Sequence, residues 1–267
     1  MPDRSAVDVE RLRGPLAARW ARIETVAETP STNAALLADT GAPDRSVLVA
    51  EHQVAGRGRF DRTWTSPPGA GLTFSVLLRP GVPLARLGWL PLLAGVALHE
   101  AVRGTTGVDA VLKWPNDLLA AGTGGKLAGI LAQTADDAVV VGIGLNVSTT
   151  AAELPTETAT SLELCGARTV DRTDLLAAIL RRLDVRCAQW VDVDGDAAAC
   201  GLAADYGKVC ATLGQSVRVT LGGGAAGAGP VVQGLASAVD PVGRLIVRTA
   251  QGEQAVSAGD VEHVRPA

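Results

Sequence analysis

Two short segments place permanently charged side chains among glycines, a pattern suited to binding anions. Residues 56–59 read GRGR, and Lys126 stands between Gly125 and a strongly apolar run. Glycines let backbone N–H groups approach an anion closely, and arginine offers a planar fork to a carboxylate or phosphate. An ammonium beside an apolar run is partly desolvated and needs an anionic partner. The pattern therefore indicates a carboxylate or phosphate site, although a solvated basic turn and a surface lysine would also explain each segment alone.

Two further segments combine polar residues with features of strand ends. Residues 113–117 read KWPND, and residues 142–147 read GIGLNV. Ligands of open α/β sheets bind where strands end, and glycines within a strand often mark close approach of a ligand or of another backbone. Turn residues at Asn116 and Asp117, and a tight turn at the glycines, remain the structural alternatives.

Several familiar catalytic motifs are incomplete. Residues 124–126 (GGK) lack the hydroxyl residue and the first glycine of a phosphate loop, because Leu127 and Ala120 occupy those positions. Val147 replaces the third glycine of a dinucleotide fingerprint, and Arg103 replaces the second histidine of a zinc-protease motif. The G-x-S-x-G motif is also absent from the sequence. These departures argue against P-loop kinases, Rossmann dehydrogenases, zincins and α/β-hydrolases.

The composition is that of a globular protein without a basic excess. Apolar residues make up 47% and charged residues 19% of 267 residues, with a net charge of −4. This balance is unlike that of a general nucleic-acid binder. Apolar stretches are too short for a membrane helix, which needs about 18 residues, and the first twenty residues are too charged for a signal peptide. The four cysteines form no C-x-x-C pair, so we expect reduced, buried thiols rather than zinc or disulfides, and a soluble cytoplasmic α/β protein.

Hydrophobic periodicity predicts two regions, one with helices and strands and one with short strands only, with a boundary near residue 213. A helix is expected over 171–190 from an apolar stripe at helical spacing, and Ser31 or Thr32 should cap a short helix. Other expected elements are a helix at 87–102 and strands at 22–27, 46–52, 72–79, 108–114 and 138–143. The segments 216–221, 231–239, 244–249 and 260–264 read as short strands of a small β-barrel, with a glycine-alanine loop at 222–229.

The order of these motifs resembles that of the bacterial biotin–protein ligases, over roughly residues 22–265. The resemblance rests on STN (31–33), EHQVAGRGR (51–59), KWPND (113–117), GKLAGIL (125–131) and GIGLNV (142–147). It implies an α/β (α+β) fold: a mixed sheet with flanking helices, like class II aminoacyl-tRNA synthetases, at 1–213, and an SH3-like β-barrel at 214–267. The family activates biotin with ATP and Mg²⁺ to biotinyl-5′-AMP. It then biotinylates one lysine of the biotin carboxyl carrier domain of acetyl-CoA or acyl-CoA carboxylase.

The resemblance also implies roles for individual residues. It assigns biotin binding to Ser31, Thr32, Asn33, Gln53, Arg57, Gly58, Arg59, Lys126 and Gly129. It assigns ATP and adenylate binding to Arg57, Arg59, Arg62, Trp64, Lys113, Asn116 and Asn146, and an Mg²⁺ contact to Asp117. Lys126 and Arg59 are the implied catalytic residues, because they would reduce the repulsion between a carboxylate and an α-phosphate.

Two positions depart from the family pattern, and three questions stay open. Asp61 stands where many members have a second glycine after GRGR, and Gln133 stands where glutamate is frequent. A lipoate–protein ligase and a non-catalytic biotin-binding regulatory module are the alternative functions. About 21 residues precede the first expected strand, where a helix-turn-helix domain needs about 60, so we expect the monofunctional type and no nucleic-acid partner. A weak homodimer and the identity of the carrier stay open.

Overall fold

A seven-stranded sheet and a five-stranded sheet organise the protein. The computed structural model describes residues 4–60, 62–167, 170–222 and 229–264. The first sheet contains β1 (Arg22–Thr29), β2 (Ser46–Gln53), β3 (Gly71–Leu78), β4 (Ala110–Lys113), β5 (Asp117–Ala120), β6 (Lys126–Ala135) and β7 (Ala138–Asn146). Its strand order is β1-β2-β3-β7-β6-β5-β4, and within it β1 and β2 are parallel while the other neighbours are antiparallel.

Five α-helices are present in the described ranges. They are α1 (Val9–Leu16), α2 (Thr32–Ala38), α3 (Leu90–Thr106), α4 (Arg172–Val191) and α5 (Leu202–Val209), with a 3₁₀ turn at Leu84–Trp89. The expected helix at 87–102 therefore begins later and ends later, stopping at Gly107, whose φ of 72° suits glycine. The side chain of Asp171 accepts hydrogen bonds from the backbone of the first turn of α4, as a capping residue should.

The helices α3 and α4 pack against each other and help to form the main core. The predicted apolar stripe of α4 is confirmed, because all its members are buried: Leu176, Leu180, Leu183, Cys187 and Trp190. Burial raises the pKa of the Cys187 thiol to about 12. The four cysteines are free; the prediction of buried thiols holds for Cys187 and Cys210 but is wrong for Cys165 and Cys200, which are partly exposed.

The second sheet is antiparallel, with order β11-β10-β9-β8-β12. Its strands are β8 (Ser216–Thr220), β9 (Val231–Val239), β10 (Leu245–Thr249), β11 (Gly252–Val256) and β12 (Asp260–His263). The predicted mixed sheet with flanking helices and the predicted small β-domain are thus confirmed, while β5, β6, β11 and α5 were not predicted as elements. Residues 223–228 of the expected loop lie outside the described ranges. None of the helices in those ranges is long and apolar enough to cross a membrane.

A turn of the second sheet docks on the first through two buried tryptophans. The indole of Trp114 donates a hydrogen bond to the carbonyl of Gly243 (3.2 Å), and that of Trp89 donates to Asp240 (3.1 Å). Glycine is required at position 88, because a Cβ there would lie 2.2 Å from the carbonyl oxygen of Val242. The KWPND segment is therefore held from the side of the second domain.

The hydrogen bond from Trp114 to the turn should stabilise the fold. We expect Trp114→Phe to lower the free energy of unfolding by about 1–2 kcal/mol more than Trp190→Phe, because it leaves the Gly243 carbonyl without its donor. Trp190 is an equally buried control whose indole N–H has no hydrogen-bond partner among the described residues. Urea denaturation of both variants measures the difference, and equal losses would contradict this role.

Candidate active site

The residues singled out in the sequence converge on one cavity of about 290 Å³. All of them line it: Ser31, Thr32, Asn33, Gln53, Arg57, Gly58, Arg59, Arg62, Trp64, Lys113, Asn116, Asp117, Lys126, Gly129 and Asn146. The cavity lies over the middle of the first sheet, where β3, β7, β6 and β5 run side by side. Antiparallel pairing brings Thr73, Gly144, Gly129 and Asp117 into one row across these strands, and Ser75, Gly142 and Leu131 into a second row.

One end of the cavity is neutral and polar, at the start of α2. The Ser31 hydroxyl caps the helix by accepting from the backbone of Ala34 (3.4 Å). The backbone N–H of Thr32 donates to Gln53 Oε1 at 2.7 Å, and the Thr32 hydroxyl oxygen lies 3.0 Å from the same atom. Ser31 and Thr32 are almost completely buried. This end therefore suits a ligand group that carries hydrogen-bond donors and acceptors but no charge.

The side chain of Asn33 lies across the sheet above Gly142, which has no side chain. Its amide nitrogen donates to the carbonyl of Leu131 (3.1 Å) and to Gln133 Oε1 (2.8 Å). A Cβ on Gly142 would lie 2.2 Å from Asn33 Oδ1, so the first glycine of GIGLNV is needed for this close approach. Gln133, which stands where the family often has glutamate, thus orients Asn33 within the site.

The other end of the cavity is cationic and balanced by carboxylates. The Lys126 ammonium lies 2.7 Å from Asp117 Oδ1, and both side chains are partly buried. Arg59 Nη1 donates to Asn116 Oδ1 at 3.4 Å. Burial lowers the pKa of the Arg59 guanidinium, whereas the carboxylates of Asp117 and Asp260 act in the opposite direction. An arginine remains protonated at neutral pH even so, because its reference pKa is above 12.

The GRGR segment folds back on itself beside the cationic end. Gly58 N donates to the carbonyl of Arg62 (2.6 Å), and Trp64 N donates to the carbonyl of Gly56 (2.9 Å). Position 56 requires glycine, because a Cβ would lie 2.3 Å from the Trp64 oxygen. The Arg62 guanidinium forms an ion pair with Asp260 of β12, and this hydrogen bond raises the pKa of Arg62. Asp61 lies outside the described residues.

The indole of Trp64 lies over the two glycines of the first row, Gly144 and Gly129. A Cβ on Gly144 would lie 2.3 Å from the ring, and one on Gly129 would lie 3.4 Å from it. The Lys126 ammonium stands 6.0 Å from the ring centroid, within the range of a cation–π contact. The indole N–H is buried and has no hydrogen-bond partner among the described residues. Trp64 therefore forms an apolar surface between the neutral end and the cationic end.

Asn116 and Asn146 hold backbone around the cationic end. Asn116 Nδ2 donates to the carbonyl of Ile130 (3.0 Å). Asn146 Nδ2 donates to the carbonyls of Thr160 (3.0 Å) and Lys126 (3.5 Å), so it fastens the 158–160 segment beside Lys126. Lys113 also lines the cavity, at the end of β4.

Sequence reasoning missed several polar residues of the site, among them Ser75 and Asp260. Ser75 is fully buried within the apolar strand β3, and the hydroxyl residues of that strand, Thr73 and Ser75, are the local signal that could have found it. Asp260 reaches the cavity from the second sheet, a placement that local spacing could not indicate.

The mixed sheet, the small β-domain and a cavity with a neutral and a cationic end define an α/β protein with a site for a ligand that is polar at one end and anionic at the other. Comparison with known proteins agrees. Residues 25–148 match the model described as Biotin/lipoate A/B protein ligase family, and residues 212–264 match Biotin protein ligase C terminal domain. A biotin–[acetyl-CoA-carboxylase] ligase of Mycobacterium tuberculosis is 42% identical, with 97% of this chain and 99% of that protein covered. The chain belongs to the biotin/lipoate A/B protein ligase family.

Two solved structures share the fold. Biotin protein ligase from Aquifex aeolicus in complex with biotin and ATP superposes with a TM-score of 0.75 at 27% identity, covering 92% of this chain and all of that one. Biotin protein ligase from Leishmania major in complex with biotinyl-5-AMP gives a TM-score of 0.60 at 26% identity, covering 89% of this chain and 99% of that one.

The ion pair between Arg62 and Asp260 should restrain the GRGR segment. We expect Asp260→Asn to speed tryptic cleavage after Arg57, Arg59 or Arg62 by about threefold, since a half-exposed ion pair contributes about 0.2–1 kcal/mol. Limited proteolysis followed by mass spectrometry measures this rate. Glu253→Gln, which removes an exposed ion pair with Arg248 elsewhere in the second sheet, is the control. Unchanged cleavage in Asp260→Asn would show that the pair does not restrain the segment.

Proposed function

We propose that this protein activates biotin with ATP to form biotinyl-5′-AMP and then transfers biotin to a lysine of a biotin carboxyl carrier domain. The observation that carries the proposal is the single cavity that joins a neutral hydrogen-bonding end to a cationic end. The distribution of charge along the cavity matches that of biotin, which has an uncharged ureido ring at one end and a carboxylate at the other. Related proteins that are named biotin ligases, or that were solved with biotin and ATP or with biotinyl-5-AMP, support the same substrate. We also propose the domain division 1–213 and 214–267.

In this proposal biotin lies against the indole of Trp64, which covers Gly129 and Gly144. Ser31, Thr32 and Gln53 hold the ureido ring, with Asn33 behind them, and the apolar chain follows the indole. Gly129 contributes to this binding surface because its missing side chain lets the indole and Lys126 lie close to the sheet. The carboxylate then reaches Lys126, and Arg57 with the backbone at Gly58 closes this end.

ATP occupies the cationic end. Arg59, Arg62 and Lys113 provide positive charge for its phosphates, while Asn116 and Asn146 shape the wall around the adenylate and Trp64 packs beside it. Mg²⁺ enters with ATP as part of the substrate and offsets phosphate charge. The described residues contain no group of three or more metal-binding side chains, which fits an ion held mainly by phosphate oxygens. Asp117 is the carboxylate that we propose would contact it.

The chemistry follows from charge. A carboxylate oxygen of biotin attacks the α-phosphorus of ATP, the bond to the β-phosphate oxygen breaks, and pyrophosphate leaves. Both reactants are anions, so Lys126 and Arg59 lower the barrier by reducing their repulsion and by stabilising the charge that develops at phosphorus. Holding both groups in one cavity supplies the rest of the acceleration, and the residues form no covalent intermediate.

The second step delivers biotin to a protein. The ε-amine of the carrier lysine attacks the acyl carbon of biotinyl-5′-AMP, AMP leaves with the bonding electron pair, and the nitrogen loses a proton. The proposed partner is the carrier domain of acetyl-CoA or acyl-CoA carboxylase, in the cytoplasm where ATP and carboxylases occur. With a net charge of −4 the chain offers no general attraction to nucleic acid, so we propose a protein partner only.

The proposed reaction predicts a defined set of products. With biotin, ATP and Mg²⁺ the protein should release pyrophosphate, and a carrier domain added to the mixture should gain one biotinyl group on a single lysine by mass spectrometry. Chelation of Mg²⁺ should stop the release. Lipoate in place of biotin is the control for a lipoate–protein ligase, and biotin binding without pyrophosphate release would leave only a regulatory binding module.

Lys126 should matter for adenylate formation much more than for folding. We expect Lys126→Ala to lower the rate of pyrophosphate release by at least about 100-fold, the effect of removing a group that stabilises transition-state charge. The midpoint of thermal unfolding should change little. Lys208→Ala is the control, because Lys208 is exposed and pairs with Asp205 away from the cavity. Near-normal pyrophosphate release in Lys126→Ala would show that this lysine is not catalytic.

A further inference from the structure

We infer that Ser75 is a positioning residue that makes the neutral end of the cavity selective for a ligand carrying ring N–H groups. The inference rests on the proposed function and concerns a residue that does not itself contact the ligand. Ser75 is fully buried in β3, and its hydroxyl lies 2.6 Å from both Thr32 Oγ1 and Asn33 Oδ1. One hydroxyl with a single hydrogen therefore connects two residues of the site.

The backbone of the sheet fixes which group donates in each hydrogen bond between Asn33, Ser75 and Thr32. The carbonyl of Leu131 can only accept, so the amide nitrogen of Asn33 must face it at 3.1 Å. Gln133 Oε1 accepts the second amide hydrogen at 2.8 Å. Asn33 Oδ1 is thereby turned toward Ser75, and an amide oxygen can only accept. Ser75 must therefore donate to Asn33.

The polarity of Thr32 follows. Because the Ser75 hydrogen is used on Asn33, the 2.6 Å contact between Ser75 and Thr32 needs the hydrogen of Thr32. Gln53 Oε1 competes for the same hydrogen at the longer distance of 3.0 Å, while it keeps the Thr32 backbone N–H at 2.7 Å. With its hydrogen directed to Ser75, the Thr32 hydroxyl presents lone pairs beside Gln53 Oε1.

Two neighbouring acceptors at the neutral end call for a donor on the ligand. A ring N–H placed between Thr32 Oγ1 and Gln53 Oε1 satisfies both oxygens, and a cyclic urea carries such a group. In a cyclic carbamate, oxygen replaces that N–H. Its ring oxygen, which can only accept, would then face the two acceptor oxygens of Thr32 and Gln53. Sites built in this way reject the wrong analogue strongly, because their buried polar groups stay unpaired.

Gly142 completes the arrangement. It pairs with Ser75 on one side and with Leu131 on the other, so it is the strand position that Asn33 crosses. A side chain there would displace Asn33 and break the chain of hydrogen bonds from Thr32 to the sheet. The first glycine of GIGLNV and Ser75 thus support the same set of hydrogen bonds around Asn33.

The test is Ser75→Ala in the full chain, with pyrophosphate release measured for biotin and for a cyclic carbamate analogue of biotin. We expect the KM for biotin to rise about tenfold, since a buried hydrogen bond that orients Thr32 is lost, while kcat and the KM for ATP change less than about twofold. The preference for biotin over the carbamate, as the ratio of kcat/KM values, should fall at least about fivefold, because a Thr32 hydroxyl freed from Ser75 can donate to the ring oxygen.

Ser46→Ala is the matched control. Ser46 is equally buried on the neighbouring strand β2, and its hydroxyl donates to the carbonyl of Pro43 (2.7 Å), away from the cavity. It should keep the wild-type KM and the wild-type preference. An unchanged KM and preference in Ser75→Ala, or the same changes in Ser46→Ala, would overturn the inference.

Two further measurements keep the result decisive. Should Ser75→Ala fail to fold by circular dichroism, Ser75→Cys replaces it; a thiol is a weak donor, so reduced preference is again expected, and wild-type preference would overturn the inference. Should the wild type release no pyrophosphate, the proposed function fails separately. Titration calorimetry with biotin then tests Ser75 alone: weaker binding by Ser75→Ala supports its role, and equal or absent binding in both proteins overturns it.

Discussion

Charge balance inside one cavity is the constraint on which the arrangement depends. Lys126 and Arg59 are partly withdrawn from water, and a desolvated cation is costly without an anionic partner. In the protein alone, Asp117 lies 2.7 Å from Lys126, and Asp260 pairs with the neighbouring Arg62. The proposed substrates are anions, so they can take over this role when they enter. The same positive charges therefore pair with carboxylates of the protein and, in the proposed reaction, bring together two groups that would repel each other in water.

The sheet supplies rigidity at the points where the chemistry needs it. Gly129 and Gly144 face each other on adjacent strands, and the indole of Trp64 lies over them. Two strand positions away, Gly142 makes room for Asn33. Missing side chains on neighbouring strands thus let Trp64 and Asn33 lie directly on the sheet as walls of the cavity, while backbone hydrogen bonds keep its floor fixed. A site built on strands is held more precisely than one built on loops alone.

The second sheet is part of the site as well as a neighbour of it. Its 240–243 turn accepts hydrogen bonds from two buried indoles, one of which belongs to KWPND, and β12 places Asp260 in the cavity wall. The cationic end therefore depends on both sheets, whereas the polar residues of the neutral end come from the first sheet, α2 and the cap of α2.

Local sequence was sufficient for features that depend on neighbours in the chain. The cap at the start of α2 and the apolar stripe of α4 follow from residue type and spacing, and the order of the motifs pointed to the family. Only the tertiary structure paired Lys126 with Asp117, set Ser75 against Thr32 and brought Asp260 to the cavity. These contacts depend on strand register and on the docking of two domains, and both are decided by packing between segments far apart in the chain, which no local pattern encodes.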